Sequence, residues 1–170
     1  MEFDVVIEIP KGQRNKYEMD HETGRIRLDR MLFTATRYPS DYGFVEDTLA
    51  DDGDPLDVLV LVDEPSFPGC LIEVRPIGVL EMIDQGVKDE KVLAVARSNP
   101  RYEGVHNYTQ IYPHIMKEIS HFFSVYKDLE GKRTQMLGWK DATAARAAII
   151  ESAKRFRETM VEKEAAVVRE

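Results

Sequence analysis

The chain has 170 residues, of which 43% are hydrophobic, and it carries a formal net charge of -8. This size and composition predict a single compact domain over residues 1–170. The negative charge disfavours nucleic acid and anionic membrane as partners, so a phosphate-bearing ligand would need local cations or bound metal. The single cysteine excludes an internal disulfide. With no basic and apolar leader and no stretch of membrane-spanning length, we expect a cytoplasmic protein.

Three strands are predicted at the start of the chain. Residues 3–9 alternate apolar and polar side chains, which is the period of a half-buried strand, and Pro10 ends the pattern. Residues 15–20 and 25–30 are predicted to form a hairpin whose turn, 21–24, ends in glycine. The chain therefore begins with antiparallel β structure.

The hairpin brings two cations together. The register that the turn suggests places Lys16 opposite Arg30 and Glu18 opposite Leu28. Two cations directly opposite each other repel, so either the register differs or an anion lies over them. For Lys16 by itself, a solvated surface lysine is the alternative.

The segment 31–43 is polar and carries Tyr38 and Tyr42 around Pro39. We assign no regular element to it. The two tyrosines are either packing groups with their hydroxyls at the surface or neutral hydrogen-bond donors to phosphate oxygens.

An acidic loop follows at Asp51–Asp57, where four carboxylates lie within seven residues. Gly53 and Pro55 indicate a tight turn, and the apolar run Val58–Val62 directly after the loop predicts a buried strand. Like charges this close repel unless a cation lies between them, which indicates a hard divalent ion. A solvated acidic turn is the alternative, whereas an EF-hand is disfavoured because Leu56 stands at a ligand position.

A second acidic turn is predicted at Met82–Lys91, between a strand region at Cys70–Leu80 and an apolar strand at Val92–Val95. Asp84 and Asp89 lie five residues apart across a glycine and could face one ion. A charged turn between strands is common by itself. Two acidic turns in one small domain instead indicate a shared site.

The last third of the chain predicts two helices around a final strand at Arg133–Trp139. Pro113 fits the first turn of the first helix, and Asp141 is an N-cap candidate for the second. The inward-facing residues are predicted to be Ile115, Ile119, Phe122, Phe123 and Tyr126 in the first helix and Ala145, Ile149, Ala153, Phe156 and Met160 in the second. Beyond about residue 162 we expect a frayed tail. Strands first and helices last predict an α+β domain with a closed or nearly closed antiparallel sheet.

Several motifs occur together and in order. Asp52–Asp57 is Asp-Gly-Asp-Pro-Leu-Asp, and it is surrounded by Glu-Ile-Pro-Lys-Gly at 8–12, Asn-Lys-Tyr-Glu at 15–18, Tyr-Pro-Ser-Asp-Tyr-Gly at 38–43, and His-Phe-Phe with Tyr-Lys-Asp-Leu within 121–129. With these motifs, the sequence from about Phe3 to Trp139 resembles the soluble family I inorganic pyrophosphatases of the bacterial type.

The resemblance implies a twisted five-stranded antiparallel β-barrel of the OB type with two main α-helices packed outside. It also implies Mg²⁺-dependent hydrolysis of pyrophosphate to two orthophosphates, with Mn²⁺ or Zn²⁺ as substitutes, Ca²⁺ as an inhibitor, and a homohexameric assembly. The residue types agree with this chemistry, because ligands that are all oxygen suit Mg²⁺ or Mn²⁺ and argue against a dedicated zinc site.

Carried over position by position, the resemblance assigns roles to named residues. The metal ligands would be Glu8, Glu18, Asp52, Asp57, Asp84 and Asp89, the substrate-binding groups Lys16, Arg30, Tyr42, Tyr126 and Lys127, and the supporting residues Tyr38 and Lys91. A metal-bound water would attack phosphorus directly, with Asp54 as its general base and Asp89 as the rival for that role. Because acids outnumber bases in this set, we expect metal to be needed for substrate binding as well as for chemistry.

Two positions and two competing functions stay open. Many family members have a second acid after the position of Asp84, where this chain has Gln85, so an outer-sphere metal contact is in question. His21, in the hairpin turn, either reaches the site or is solvated. The competing functions are a non-catalytic barrel that binds divalent ions or nucleic acid, and a hydrolase of nucleotides or polyphosphate.

Overall fold

The computed structural model of the chain describes residues 1–167, and residues 168–170 lie outside its description. The described residues form β1 (Phe3–Ile9), β2 (Asn15–Asp20), β3 (Arg25–Met31), β4 (Asp41–Phe44), β5 (Asp57–Leu61), β6 (Leu71–Asp84), β7 (Val87–Ala96), α1 (Pro113–Val125), β8 (Thr134–Asp141) and α2 (Ala142–Val167). Short 3-10 helices lie at Pro100–Tyr102, Tyr108–Gln110 and Asp128–Glu130. No helix within residues 1–167 combines the length and the apolar character needed to cross a membrane.

Five strands close into a ring. Their order is β1, β4, β5, β7 and β6, and β6 pairs back with β1, so each strand of the ring has two neighbours. β6 has 14 residues, which is long enough to pair with β1 near its start, with β8 near its end and with β7 along most of its length. The ring with its two helices confirms the predicted α+β fold built on a five-stranded barrel of the OB type.

The sheet differs from the expected all-antiparallel barrel in two ways. β5 and β7 are parallel, because β6 returns the chain before β7 begins. β8 also joins β6 as a sixth strand, and β2 and β3 form a separate two-stranded sheet. The parallel pair has a direct consequence for the acids, because it places Asp57 opposite Lys91.

β5 buries side chains on both of its faces. Leu59 and Leu61 belong to a core cluster that includes α1, whereas Val58 and Val60 belong to a second cluster that includes α2. Burial on both faces explains why the sequence of β5 is a continuous apolar run. Burial in two core clusters fixes this strand, and it therefore fixes the position of Asp57 at its start.

The β2–β3 hairpin has the predicted turn and part of the predicted register. Lys16 pairs with Arg30 as expected, but a bulge directly after Lys16 shifts the remaining pairs by one residue. Glu18 therefore pairs with Arg27, and the predicted pairing with Leu28 is wrong.

Two segments are more regular than the sequence indicates. Residues 41–44, to which we assigned no element, form β4 because they complete the ring between β1 and β5. The predicted acidic turn at 82–91 is mostly strand, since only Gln85 and Gly86 separate β6 from β7. Both residues have positive φ, 51° and 83°, as a two-residue hairpin turn requires.

The helices keep their predicted start signals, but their inward faces differ from the prediction. Pro113 begins α1, and Asp141 Oδ1 caps α2 by accepting a backbone N–H at 2.9 Å. For α1, four of the five predicted inward residues are buried, namely Ile119, Phe122, Phe123 and Tyr126, whereas Ile115 is 39% exposed and Met116 is buried instead. In α2, Met160 is 41% exposed, so its predicted inward position is also wrong.

The predicted frayed tail lies partly outside the described residues. The part that is described, up to Val167, continues α2 as an exposed helix. Alanine, glutamate and lysine, which favour helix by themselves, are frequent in this part of the chain. Local propensity therefore extends the helix beyond the end of its packed face.

Gly43 marks a close approach between the backbones of β1 and β4. A Cβ at this position would lie 1.9 Å from Val6 O, which belongs to backbone and cannot rotate away. We therefore expect Gly43→Ala to lower the free energy of unfolding in urea by about 3 kcal/mol or more. Gly104→Ala is the matched control, because a Cβ there meets nothing within 4 Å, and its change should stay below about 0.5 kcal/mol. Equal stability of the two variants would contradict this packing.

Candidate functional site

One open pocket of about 250 Å³ collects most of the residues that the sequence analysis singled out. Twelve of them line it: Glu8, Lys16, Glu18, Tyr42, Asp52, Asp54, Asp57, Asp84, Asp89, Lys91, Tyr126 and Lys127. Arg30 and Tyr38 are not part of the lining. Acids that are separated by up to eighty residues in sequence therefore face one space, as the metal-site prediction requires.

Five further residues, to which no role was assigned, also line the pocket: Ile9, Tyr17, Met19, Phe44 and Pro55. Three of these residues lie inside the motifs that carry the resemblance and the other two directly follow such a motif, so the motifs are the signal that could have found them. His21 was left open between site and solvent, and it lies in the lining with its ring edge-on to Phe44, 5.2 Å between ring centres.

The charges in the pocket do not balance. Its lining contains seven carboxylates and three lysines, an excess of four negative charges when His21 is neutral. This excess would repel a polyanion such as a phosphate ester or anhydride. Cations are therefore needed in the pocket before such a ligand can bind.

The acidic loop is shaped by its own short contacts. Asp52 Oδ1 accepts a hydrogen bond from Asp54 N at 3.0 Å, and Gly53 supplies the positive φ of 89° that the turn needs. Leu56 is 1% exposed and anchors the loop in the core. Asp51 points the other way and forms an ion pair with Arg155 of α2. Asp52, Asp54 and Asp57 therefore line the pocket, whereas Asp51 attaches the loop to α2.

Lys91 lies at the centre of the buried charges. Its Nζ lies 2.8 Å from Asp57 Oδ2 and 2.9 Å from Asp89 Oδ2, and it donates to the Tyr42 hydroxyl at 2.8 Å. The residue is 3% exposed. Burial alone would lower the pKa of Lys91, but the neighbouring carboxylates, Asp57 foremost, raise it well above its ordinary value. Lys91 is therefore a permanent cation that holds two acids and one tyrosine together.

The other two pocket lysines also contact acids. Lys127 forms an ion pair with Asp84, and Lys16 forms one with Glu18. Asp29, outside the lining, bridges the cations of the hairpin, because its Oδ2 lies 3.5 Å from Lys16 Nζ and also contacts Arg30. The anion expected over the opposed cations is thus supplied in part by the chain itself.

Two of the predicted tyrosines line the pocket and one supports it. Burial raises the pKa of Tyr42 and of Tyr126, so both stay protonated donors at neutral pH. Tyr38 is 2% exposed and packs against Tyr42, with 5.4 Å between ring centres, and against Phe122 at 4.8 Å. Its position agrees with the supporting role that was predicted for it.

Three carboxyl groups of the pocket are held in unfavourable surroundings. Burial raises the pKa of Glu8 to about 7. The hydrogen bond that Glu8 Oε2 accepts from Met19 N, at 2.6 Å, acts in the opposite direction and lowers the pKa. Burial, followed by the charges of Asp52 and Asp57, raises the pKa of Asp54. Burial also raises the pKa of Asp89 despite Lys91 beside it. Such acids gain most from a cation close by.

The carboxylates of the pocket are the kind of ligand that a hard divalent ion prefers, although they are not arranged around one metal position in this structure. Within residues 1–167, no three acidic, histidine or cysteine side chains lie close enough together to hold a metal ion as they stand. The lysines explain this, since Lys91 and Lys127 occupy the space beside three of the acids. Carboxylate oxygens with raised pKa values around one cavity are the ligands that Mg²⁺ prefers. The residue types of the pocket therefore fit such an ion.

Gln85 lies beside the site and not in it. It is in the hairpin turn that follows Asp84, and its Nε2 donates to Asp84 Oδ1 at 3.4 Å. An acid at this position would place a second negative charge next to Asp84. With glutamine, Asp84 receives a neutral donor instead.

The comparisons with known proteins agree with this site. A family model described as inorganic pyrophosphatase matches residues 5–157. The inorganic pyrophosphatase of Streptomyces coelicolor is 58% identical over 159 residues, covering 93% of this chain and 98% of that protein. The one from Nostoc is 51% identical, covering 91% and 92%.

Solved structures give the same result. The inorganic pyrophosphatase from Thermus thermophilus has a TM-score of 0.89 at 42% identity, covering 92% of this chain and 91% of that chain. The one from Coxiella burnetii has a TM-score of 0.88 at 46% identity, covering 91% and 95%. With the family model, the close relatives and the shared fold in agreement, this chain belongs to the soluble family I inorganic pyrophosphatases.

Proposed function

We propose that this protein hydrolyses inorganic pyrophosphate to two orthophosphates with Mg²⁺. One observation carries the proposal: seven carboxylates, three lysines and three tyrosines line a single open pocket. A pocket of both charges is suited to a ligand that binds as a metal complex, because the acids hold the metal and the lysines hold the anion. Family membership supports pyrophosphate as that anion.

The proposed Mg²⁺ ligands are the acids at the ends of β5, β6 and β7 and in the acidic loop, namely Asp52, Asp57, Asp84 and Asp89, with Glu8 and Glu18 assisting. When bound, Mg²⁺ would offset the negative excess of the pocket and lower the pKa of water towards neutrality. Mn²⁺ suits the same oxygen ligands. Zn²⁺ as a substitute and Ca²⁺ as an inhibitor stay predictions from the family.

The proposed substrate-binding groups surround the acids. Lys16 and Lys127 contact Glu18 and Asp84, and a phosphate would compete with those acids for them. Tyr42 and Tyr126 stay protonated and would donate to phosphate oxygens without adding charge. Charge that develops on the departing phosphate would be stabilised by the same donors. Arg30 would reach the substrate from the hairpin, beside Lys16.

Asp54 is the stronger candidate for the general base, because its carboxylate is available. Among the hydrogen bonds and ion pairs of residues 1–167, none involves the side-chain oxygens of Asp54, whereas Asp89 Oδ2 is held by Lys91 at 2.9 Å. Burial and neighbouring acids raise the pKa of Asp54, which makes its carboxylate a better proton acceptor. Asp54 would therefore orient the attacking water and accept its proton.

Assembly and location stay predictions. The family resemblance predicts a homohexamer in the cytoplasm, with neither nucleic acid nor membrane as a partner. Size-exclusion chromatography with light scattering would measure the assembly directly.

Removal of one central ligand should abolish activity. We expect Asp57→Asn to lower phosphate release from pyrophosphate at least about 100-fold in excess Mg²⁺. Asp51→Asn is the matched control, because Asp51 belongs to the same loop but contacts Arg155, and its rate should stay within about threefold of wild type. Wild-type protein treated with a chelator should also lose activity and recover it when Mg²⁺ is restored. Full activity after chelation, or in the Asp57 variant, would disprove the proposed site.

The two base candidates can be separated by pH. The wild-type kcat should fall at acidic pH, as Asp54 becomes protonated. Asp54→Asn should lower kcat by about 10²–10⁴-fold and abolish the fall of kcat at acidic pH. Asp89→Asn should instead weaken Mg²⁺ binding and leave that fall of kcat in place. The opposite pattern in the two pH profiles would assign the base to Asp89.

Glu8 should reduce the stability of the metal-free protein. Its pKa is about 7 in the folded chain, so the folded state holds this proton more tightly than the unfolded state, and stability falls as pH rises from about 5 to 8. In chelator, Glu8→Gln should raise the melting temperature by about 3 °C or more at pH 8. At pH 5 the difference should nearly vanish. An equal shift at both pH values in differential scanning fluorimetry would contradict this account.

A further inference from the structure

Four of the five groups proposed to bind phosphate, all except Tyr42 of β4, come from two pieces of the fold that lie outside the five-stranded ring. Lys16 and Arg30 belong to the β2–β3 hairpin, which is a sheet of its own. Tyr126 and Lys127 belong to the turn that follows α1, and the 3-10 helix Asp128–Glu130 continues this turn. Their separation must be fixed by some contact if both pieces are to hold one substrate.

Glu130 makes that contact. Arg30 Nη2 donates to Glu130 Oε2 at 3.3 Å, and Arg30 Nε lies 2.8 Å from Glu130 Oε1 as a charge contact and not a directed hydrogen bond. Within the part of the chain that the structure describes, no other side-chain hydrogen bond or ion pair joins residues 15–31 to residues 113–133. The arginine–glutamate pair is therefore the polar side-chain link between the hairpin and the turn, in addition to the apolar packing of Tyr17 on the core cluster that contains Tyr126.

The pair is protected from solvent, chiefly on the glutamate side. The side chain of Glu130 is 5% exposed and that of Arg30 is 22% exposed. Lys132 Nζ approaches Glu130 only to 4.0 Å. A buried carboxylate of this kind needs a cation, so it restrains the guanidinium strongly.

The contacts also leave part of the guanidinium free for a ligand. An arginine has five N–H groups in a planar fork. Glu130 faces Nε and Nη2, and Asp29 contacts Nη1. Each terminal nitrogen carries two N–H groups, so one on each remains for an oxyanion.

We infer that Glu130 is a positioning residue for Arg30. It holds the guanidinium next to Asp29, which also contacts the pocket residue Lys16, and it ties the hairpin to the turn that carries Tyr126 and Lys127. The inference rests on the proposed function, because Arg30 is taken to bind the phosphate of the substrate. Glu130 itself does not line the pocket. Its effect on substrate should therefore pass through Arg30 and disappear when Arg30 is absent.

A double-mutant cycle tests this dependence. The probe is imidodiphosphate, a pyrophosphate analogue that resists hydrolysis, titrated calorimetrically in Mg²⁺, with kcat and KM for pyrophosphate measured in parallel. Glu130→Gln should weaken imidodiphosphate binding and raise KM about five- to tenfold, with kcat changed less than about twofold. In the Arg30→Met background, Glu130→Gln should add less than about twofold.

Two further variants keep the test specific. Glu130→Asp keeps the charge and should restore part of the affinity that Gln loses. If thermal melts show that the Glu130→Gln variant is unfolded at the assay temperature, Glu130→Asp replaces it in the double-mutant cycle. Asp128→Asn changes an exposed acid in the same turn and should leave binding unchanged.

The failures of the two proposals are distinguishable. If the wild type neither hydrolyses pyrophosphate nor binds imidodiphosphate, the proposed function is wrong. If the wild type does both and the Glu130 variants bind as well as wild type, the positioning role is wrong. An equal loss from Glu130→Gln with and without Arg30 would also overturn it, because the effect would then not pass through the guanidinium.

Discussion

The buried ammonium group of Lys91 is the interaction on which the rest of the site depends. It lies 2.8 Å from Asp57 and 2.9 Å from Asp89, and it donates to Tyr42 at 2.8 Å. A lysine that is 3% exposed is stable only when carboxylates surround it. The acids in turn tolerate each other because Lys91 is there. Each of the four groups therefore helps to fix the other three before any ligand binds.

The closed ring makes this arrangement rigid. Asp57 and Lys91 face each other because β5 and β7 are parallel neighbours, and Tyr42 enters from β4 on the other side of β5. The two faces of β5 belong to two core clusters, one that includes α1 and one that includes α2, so the strand cannot shift without disturbing both. Apart from Tyr42, the phosphate-binding candidates lie on the hairpin and on the turn after α1, outside this ring. The acids are held rigidly by the ring, and the cations are held separately on the hairpin and the turn. In the proposed function, the acids would bind the metal first and the cations would then bind the substrate.

The pocket shows a conflict between stability and function. Burial raises the pKa of Glu8 to about 7 and also raises those of Asp54 and Asp89, so each carboxylate is less stable as an anion here than in water. A chain selected for stability alone would have apolar or neutral residues at these positions. The same unfavourable surroundings increase what a divalent cation would gain on binding. In the proposed function, this cost is offset when the metal binds.

By itself the sequence determined the local features: the acidic turn around Gly53, the hairpin turn, the helix caps, and a set of motifs specific enough to indicate the family. These depend on residues close together in the chain, so pattern and propensity predict them. Only the tertiary structure decided that β5 and β7 are parallel, that Met160 is exposed, and that Arg30 meets Glu130 across 100 residues. Such features follow from how the strands close into a ring and from where a helix extends beyond the sheet on which it packs. They depend on the whole chain at once, and no local pattern encodes them.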